Sequence, residues 1–433
     1  MKIAILGGGI AGISFAYHAQ NINNINEIVI FEKEKKFGGL LRSFDAKGIK
    51  YDVGPHIIFS KHKDVLQEVK KLLGKNKLKI KRSNKILYNK NTYIKYPFEN
   101  DLVRLPENDK KYALNEFLKN PSKKIKPFTM QDFFLKTFGR GIFDLYLKPY
   151  NNKIWKMDVS KLDTQMVERI PKPPKIDIIK SANGIKTEGY KHQLYFHYPK
   201  KGGIQSLFEA YVDKLNDKVL LKNNFKLLKI SKDKKLLIHS KHKKYEFDHI
   251  ISTIPLNELK NYIQVKPIIK KISSNLQYNS IIIAIINIKG NYAGDNFAFM
   301  VPDKNIIFHR LSKLNFLGKN YTIKGTTTFE IEITYRKNSK VSRMDNNLIK
   351  KKIIEGLKKL SLLKKNKDIN FFTIKKFKYA YVIYNLPHRK SVDKLIKYYS
   401  KFKISCIGRW GSWEYLNSDQ VIHKSKELAK RFV

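Results

Sequence analysis

Gly7, Gly9 and Gly12 stand directly behind an apolar pentapeptide, Lys2-Ile3-Ala4-Ile5-Leu6. That order predicts a buried strand, a tight turn and a helix beginning over Ile13 to Gln20. Gly7 makes the turn, and Gly9 lets a pyrophosphate approach the backbone beside Ile10 and Ala11. Gly12 lets helix and strand pack closely, so that the helix N-terminus faces the phosphates. A second strand, Glu27 to Phe31, leads into Glu32. A carboxylate there accepts both ribose hydroxyls of an adenosine and repels a 2′-phosphate. A lone glycine fingerprint carries little weight, but strand, turn, helix, strand and acid in this order specify a dinucleotide grip.

The residues after Glu32 choose among dinucleotides. A nicotinamide dehydrogenase continues into another helix and strand. Here a second glycine pair follows at once, Gly38-Gly39-Leu40-Leu41-Arg42-Ser43, and then Tyr51-Asp52-Val53-Gly54-Pro55-His56. This resembles the E-x5-G-G-x3-S extension of the FAD-dependent amine-oxidase superfamily, which also holds protoporphyrinogen oxidases, phytoene desaturases and UDP-galactopyranose mutases. The resemblance implies that Gly38 and Gly39 pass beside the FAD phosphates and ribityl chain. It implies too that Gly54, Pro55 and His56 lie against the isoalloxazine ring. Many relatives carry Arg directly after the glycine pair; this chain has Leu40 there and delays its arginine to Arg42.

At the other end, Lys403 to Ile407 reads as a buried strand. It is followed by Gly408-Arg409-Trp410-Gly411-Ser412-Trp413-Glu414-Tyr415-Leu416-Asn417-Ser418-Asp419-Gln420 and a helix with apolar Val421, Ile422, Leu428 and Ala429. Asn417 or Ser418 can cap that helix, whose free N–H groups suit ribityl or pyrophosphate oxygens. The segment is similar to the G-R-x-G-x-[YW]-x-Y-x3-D stretch of UDP-galactopyranose mutases. By that resemblance Arg409, Asn417, Asp419 and Gln420 serve FAD, and Tyr415 serves a sugar diphosphate.

Three middle stretches extend the likeness. Pro149 to Trp155 is similar to the mutase G-Y-T-x-K-Q-W segment, which assigns Trp155 to the substrate pocket. Tyr96-Pro97-Phe98-Glu99-Asn100 resembles a Pro-Phe-Asn stretch, with Glu99 where an amide is expected. Phe308 to Ser312 resembles the strand that bears a diphosphate-binding arginine, here Arg310, with Tyr384 and Tyr415 as hydrogen-bonding partners of the diphosphate. A second arginine belongs in Tyr195-Phe196-His197-Tyr198-Pro199, and none is there. His197 is expected to substitute weakly as pH falls toward about 6. Arg310 is expected to be removable without loss of folding. Core packing is an equal alternative for each middle aromatic.

Composition narrows the classes. The 433 residues suffice for two or three domains with sizeable cores. The longest apolar run, Ile281 to Ile286, suits a buried strand and is too short for a membrane span. One cysteine, Cys406, excludes disulfides and iron–sulfur clusters, and the eleven histidines lack metal-ligand spacing, so no metal is expected. A strand beginning at Lys2 leaves no room for a signal peptide, and a cytoplasmic location is expected. The net charge is +50. Lysine, isoleucine and asparagine are abundant throughout, so the runs Lys110 to Lys126 and Lys358 to Lys367 read first as solvated faces. Peripheral attraction to the anionic inner face of a membrane is the second reading, and nucleic acid the third.

The expected fold class is α/β: an FAD-binding Rossmann-like domain assembled from discontinuous segments, with an inserted helical and mixed α+β substrate domain. Residues 1–84, 201–270 and 396–433 are assigned to the nucleotide domain, 85–200 to a helix-rich insertion with a turn at Pro171 to Pro174, and 271–395 to a sheet-containing substrate domain. Asp248 to Pro255 resembles the D-x-V-I-x-T-x-P strand of amine-oxidase-type flavoproteins, which places Thr253 at the cofactor and Phe225 at the adenine. Thr326 to Tyr335 alternates as a strand does, and a helix is expected near Asn347 to Leu363. Three functions compete: a mutase-like enzyme acting on a nucleotide-linked sugar in surface-glycan synthesis, an amine or porphyrinogen oxidoreductase passing hydride to flavin N5, and a non-catalytic flavin-binding protein. In the first two the flavin, not a protein nucleophile, carries the chemistry.

Overall fold

The computed structural model describes residues 1–89, 92–167, 170, 173–187 and 194–433; the expected turn at Pro171 lies outside them in part. Five parallel strands form the nucleotide layer, in the order Ile404–Cys406, His249–Ser252, Lys2–Leu6, Glu27–Phe31 and Val219–Lys222. Strands from the beginning, middle and end of the chain thus lie side by side. Lys2–Leu6 can sit at the centre because its residues are apolar toward both faces, as a doubly covered parallel strand requires. Ile3 and Ile5 pack beneath the helices Ile10–Ala19 and Ser418–Ala429, whereas Ala4 and Leu6 turn toward the rest of the molecule. The first helix begins at Ile10, three residues earlier than expected, because Gly9 itself is its N-cap.

The second layer is a seven-stranded sheet: Ile369–Ile383, Gln277–Lys289, Thr326–Tyr335, Arg310–Lys313, Ala298–Met300, Asn84–Leu87 and Tyr93–Lys95. Its last two strands come from the segment read as helix-rich, so this sheet crosses the division drawn at residue 271. The strand Ile369–Ile383 and the helix His388–Ser400 add elements beyond those read from sequence. Phe329, Ile331 and Ile333 face the helix Asn346–Lys359 through Ile349, Ile353 and Leu357. Their alternates, Thr328, Glu330, Glu332 and Thr334, are buried as well. A strand whose pattern reads as half-solvated is therefore covered on both faces, and its carboxylates are carried inward.

Helices Glu107–Lys119, Met130–Ile142, Lys148–Trp155 and Lys175–Ala182 close the third side. Thr129 and Asp132 start the second of these with a reciprocal capping box. Gly141 lets it approach Ala113, where an added Cβ would come within 2.6 Å of the backbone. No helix among the described residues is long and apolar enough to cross a membrane.

Candidate active site

The two glycine turns meet backbone to backbone. Gly38 N–H donates to the Gly8 carbonyl at 2.8 Å, and a Cβ on Gly39 would approach Gly9 Cα at 3.2 Å. A side chain on Gly9 itself would meet only Gly39 Cα, at 3.8 Å, so the space in front of Gly9 is open. Gly12 serves packing instead: its Cβ would lie 2.5 Å from the Gly7 carbonyl oxygen and 2.9 Å from Ile5 Cγ2. The Thr253 hydroxyl donates to the Leu6 and Gly7 carbonyls and closes the turn from the neighbouring strand. Glu32 is fixed by the N–H groups of Gly8 and Glu34, both at 2.9 Å, while Phe225 N–H donates to its carbonyl.

These residues surround a cleft of about 890 Å³. Gly7, Gly9, Ile10, Ala11, Glu32, Gly39, Leu40, Arg42, Phe225, Thr253, Gly408 and Arg409 all reach its wall. Gly12 and Gly38 shape the wall from behind. The combination fits an ADP-bearing cofactor: open space before glycine backbone for phosphates, and a held carboxylate for ribose. Arg42 reaches the cleft although its Nε donates to Gly39 O, so the displaced arginine still presents charge there.

The C-terminal motif joins this cleft to a second cavity of about 670 Å³. Leu40, His56, Arg409 and Ser418 line both. Gly54, Pro55, Asn417, Asp419 and Gln420 face the second cavity. Asn417, not Ser418, is the N-cap of the last helix, and its N–H donates to Gln420 Oε1 at 2.9 Å. Arg409 ties the region together, donating to the carbonyls of Leu416 (2.9 Å) and Ala380 (3.1 Å) and covering the Tyr415 ring. Arg409→Ala is expected to weaken flavin retention by about tenfold or more through loss of charged hydrogen bonds, whereas alanine at exposed Lys364 or Lys367 leaves it unchanged. Flavin content after gel filtration reads this out.

His56 is half-buried beside Arg409 and Arg310, at the junction of the two cavities. Desolvation, with those cations, lowers its pKa from 6.5 to about 3. A neutral imidazole therefore faces the cavity at physiological pH. Because the folded value is depressed, its stabilising contribution is complete above 6.5 and fades as pH falls toward about 3. The His56 ring signals in NMR should stay constant between pH 8 and 5; a midpoint near 6.5 would show a solvated ring.

Four residues were assigned to substrate by resemblance, and the structure places them in two layers. Arg310 and Tyr415 reach the second cavity. Trp155 and Tyr384 are buried behind its wall: Trp155 Nε1 donates to Asn151 and its ring abuts Tyr381 and Tyr415, while the Tyr384 hydroxyl accepts the Tyr415 N–H. Both support Tyr415 from behind, which corrects their expected place at the ligand. Arg310 forms a bidentate ion pair with Glu332, with Nη2 to Oε2 at 2.7 Å. Glu332 is fully buried, yet Arg310, deep in the molecule, keeps 28% of its side-chain surface open to the cavity it lines. Tyr381 donates to the same carboxylate at 3.2 Å.

Sequence reasoning missed Arg82. Strand Leu78–Lys81 pairs antiparallel with Tyr195–Tyr198, and Arg82 N–H continues the ladder to the Leu194 carbonyl. Arg82 lines the same cavity as Arg310, packed over Phe59. An arginine was sought on the Tyr195–Tyr198 strand; the structure places one on the wall from that strand's neighbour, a position the pairing reveals, and an arginine after lysines at 77, 79 and 81 was the available signal. His197 is not on the cavity wall, and burial with Lys70, Lys79 and Lys77 lowers its pKa, so the expected tightening near pH 6 is withdrawn.

Asp52 anchors the start of the loop Gly54 to His56. It accepts hydrogen bonds from the hydroxyls of Ser43 (2.6 Å) and Tyr198 (2.7 Å) and from Ile204 N–H (3.2 Å). Burial still raises its pKa to about 6. Among the described residues no three His, Cys, Asp or Glu side chains gather in a manner that would hold a metal ion.

Comparison with known proteins agrees with this cradle. The profile described as flavin containing amine oxidoreductase matches residues 10–360. Coproporphyrinogen III oxidase of Staphylococcus aureus is 23% identical over 296 residues, spanning 61% of this chain and 63% of that protein. Mitochondrial protoporphyrinogen oxidase of Nicotiana tabacum is 22% identical over 350 residues, 70% of this chain and 69% of the other. A crystal structure of reduced UDP-galactopyranose mutase superposes with a TM-score of 0.89 at 23% identity, covering 99% of this chain and 95% of that one. A protein named as a protoporphyrinogen oxidase from Exiguobacterium sp. 255-15 superposes with 0.78 at 15% identity, covering 99% and 98%. The two superpositions establish the fold, and the profile, matching most of the chain, establishes the lineage: the protein belongs to the flavin containing amine oxidoreductase family and takes FAD as its cofactor.

Proposed function

We propose that this flavoenzyme acts on a nucleotide-linked sugar, in the manner of a UDP-galactopyranose mutase, in surface-glycan synthesis. One observation carries the reading: three guanidinium groups, Arg82, Arg310 and Arg409, line a single cavity that opens onto the cofactor cleft at His56. Arg310 is held by Glu332, and Arg82 and Arg409 place two further guanidinium groups on the same wall, a planar fork geometry that suits a diphosphate. Tyr96, Tyr150, Tyr381 and Tyr415 on the same wall provide ring faces and hydroxyls for a sugar and a base. Bound FAD supplies N5 as the reacting centre; the protein's part is to hold the anion, keep His56 neutral and exclude water.

The second reading is an oxidoreductase for a porphyrinogen. The named activities of the two curated relatives favour it, and the carboxylates of such a ring would also meet the arginines. Titration of the flavin-loaded protein with UDP, followed by UDP-galactopyranose turnover before and after dithionite reduction, separates the two. UDP binding that weakens about tenfold or more in Arg82→Ala, with turnover only after reduction, supports the mutase reading. No UDP binding, together with oxidation of a porphyrinogen, replaces it with the second.

A further inference from the structure

Most large apolar side chains of this protein are inside; the exposed ones are scattered along the chain, and three of them fall in one short lysine-rich stretch. Leu118, Ile125 and Phe128 are 49%, 40% and 66% exposed. Lys119, Lys123, Lys124 and Lys126 stand exposed among them, and no acid occurs between Glu116 and Asp132. Asp132 is occupied by the N–H groups of Phe128 and Thr129. The loop is also braced: Asn120 accepts from Ser122 N–H and donates to the Leu135 and Lys136 carbonyls, and Lys123 Nζ donates to Leu118 O.

We propose that the loop from Leu118 to Phe128 is a membrane-docking element that seats this enzyme on an anionic lipid surface. Lysines are attracted to anionic headgroups, and an aromatic and two aliphatic side chains beside them gain burial at the acyl boundary. A nucleic acid would satisfy the lysines and stack on Phe128, but it would leave Leu118 and Ile125 in water. Bracing holds the apolar side chains outward before contact, so little order is lost on docking. The loop leads into the helix Met130–Ile142, whose Phe138 lines the substrate cavity, so one helix links the docking surface to the active site.

The test is co-sedimentation of the flavin-loaded full chain with phosphatidylcholine vesicles, with and without phosphatidylglycerol. Binding is expected only to the anionic vesicles. Lys123→Gln/Lys124→Gln/Lys126→Gln should weaken it on the order of a hundredfold, and Ile125→Ser/Phe128→Ser by at least about tenfold. Lys358→Gln/Lys364→Gln/Lys367→Gln, an equal charge change elsewhere, should bind as wild type does. Flavin content checks that every variant is folded. Equal loss in the control variant would reduce the effect to overall charge and overturn the proposal. Unchanged binding in Ile125→Ser/Phe128→Ser would also overturn it, as would Phe128-dependent binding of single-stranded RNA with none to vesicles. None of these outcomes depends on the substrate.

Discussion

Gly9→Val is expected to yield a folded protein without its yellow colour. The backbone at Gly9 is extended, with φ of −87°, which valine adopts readily. The apoprotein around it is open, with Gly39 Cα at 3.8 Å as the nearest atom to an added Cβ. What the valine methyls occupy is the approach of the pyrophosphate, so flavin affinity should fall by more than about a thousandfold, or about 4 kcal/mol. Gly12→Val makes the contrast. Its Cβ collides with Gly7 O at 2.5 Å and Ile5 Cγ2 at 2.9 Å, both in the core between strand and helix. That variant should lose about 1–3 kcal/mol or more of stability, and lose flavin because the fold loosens. Thermal unfolding and flavin absorbance measured on both variants decide the matter. A Gly9→Val protein that keeps its flavin would mean the dinucleotide lies elsewhere.

The second large effect belongs to Arg310. Arg310→Ala removes the cation from Glu332, which is fully buried and, among the described residues, is left with the Tyr381 hydroxyl at 3.2 Å and His309 Nε2 at 3.9 Å. Breaking a buried pair in this way costs about 3–5 kcal/mol. The earlier expectation that folding would be untouched is therefore corrected, because a sequence shows the arginine but not the carboxylate opposite it. Arg310→Ala/Glu332→Gln should recover much of the stability while nucleotide binding stays lost. Chemical denaturation and UDP titration of the two variants separate the structural role from the ligand role. If the double variant is no more stable than the single one, the ion pair is not what the fold depends on.

Legibility followed the range of the interactions. The nucleotide grip could be read because each part of it is local: Gly7, Gly9 and Gly12 in one turn, Glu32 at the end of the next strand, and Gly408 and Arg409 after another. The glycines are needed for a backbone reason that does not depend on partners far away, and Glu32 and Arg409 stand at fixed spacings from them along the chain. The substrate wall could be read only in part. Trp155 and Tyr384 were assigned to the ligand by resemblance, whereas here they touch Tyr415, Trp155 through its ring and Tyr384 through its hydroxyl. Arg82 was passed over because its meaning depends on a register, Lys81 opposite Tyr195, formed across more than a hundred residues.

The sequence alone carried a dinucleotide grip and strands such as Thr326–Tyr335, since glycine spacing, apolar runs and alternation act within a few residues; the resemblance of the segments after Glu32 pointed to FAD. Tertiary structure alone decided that Glu330 and Glu332 point into the molecule and that Arg82 joins Arg310 and Arg409 at one cavity. It also decided that Phe128 stays outside while Phe117, Phe134 and Phe138 of the two flanking helices are buried. The reason is common to all three. An alternating or charged pattern states that two faces differ, and only the element packed against each face determines which one meets water.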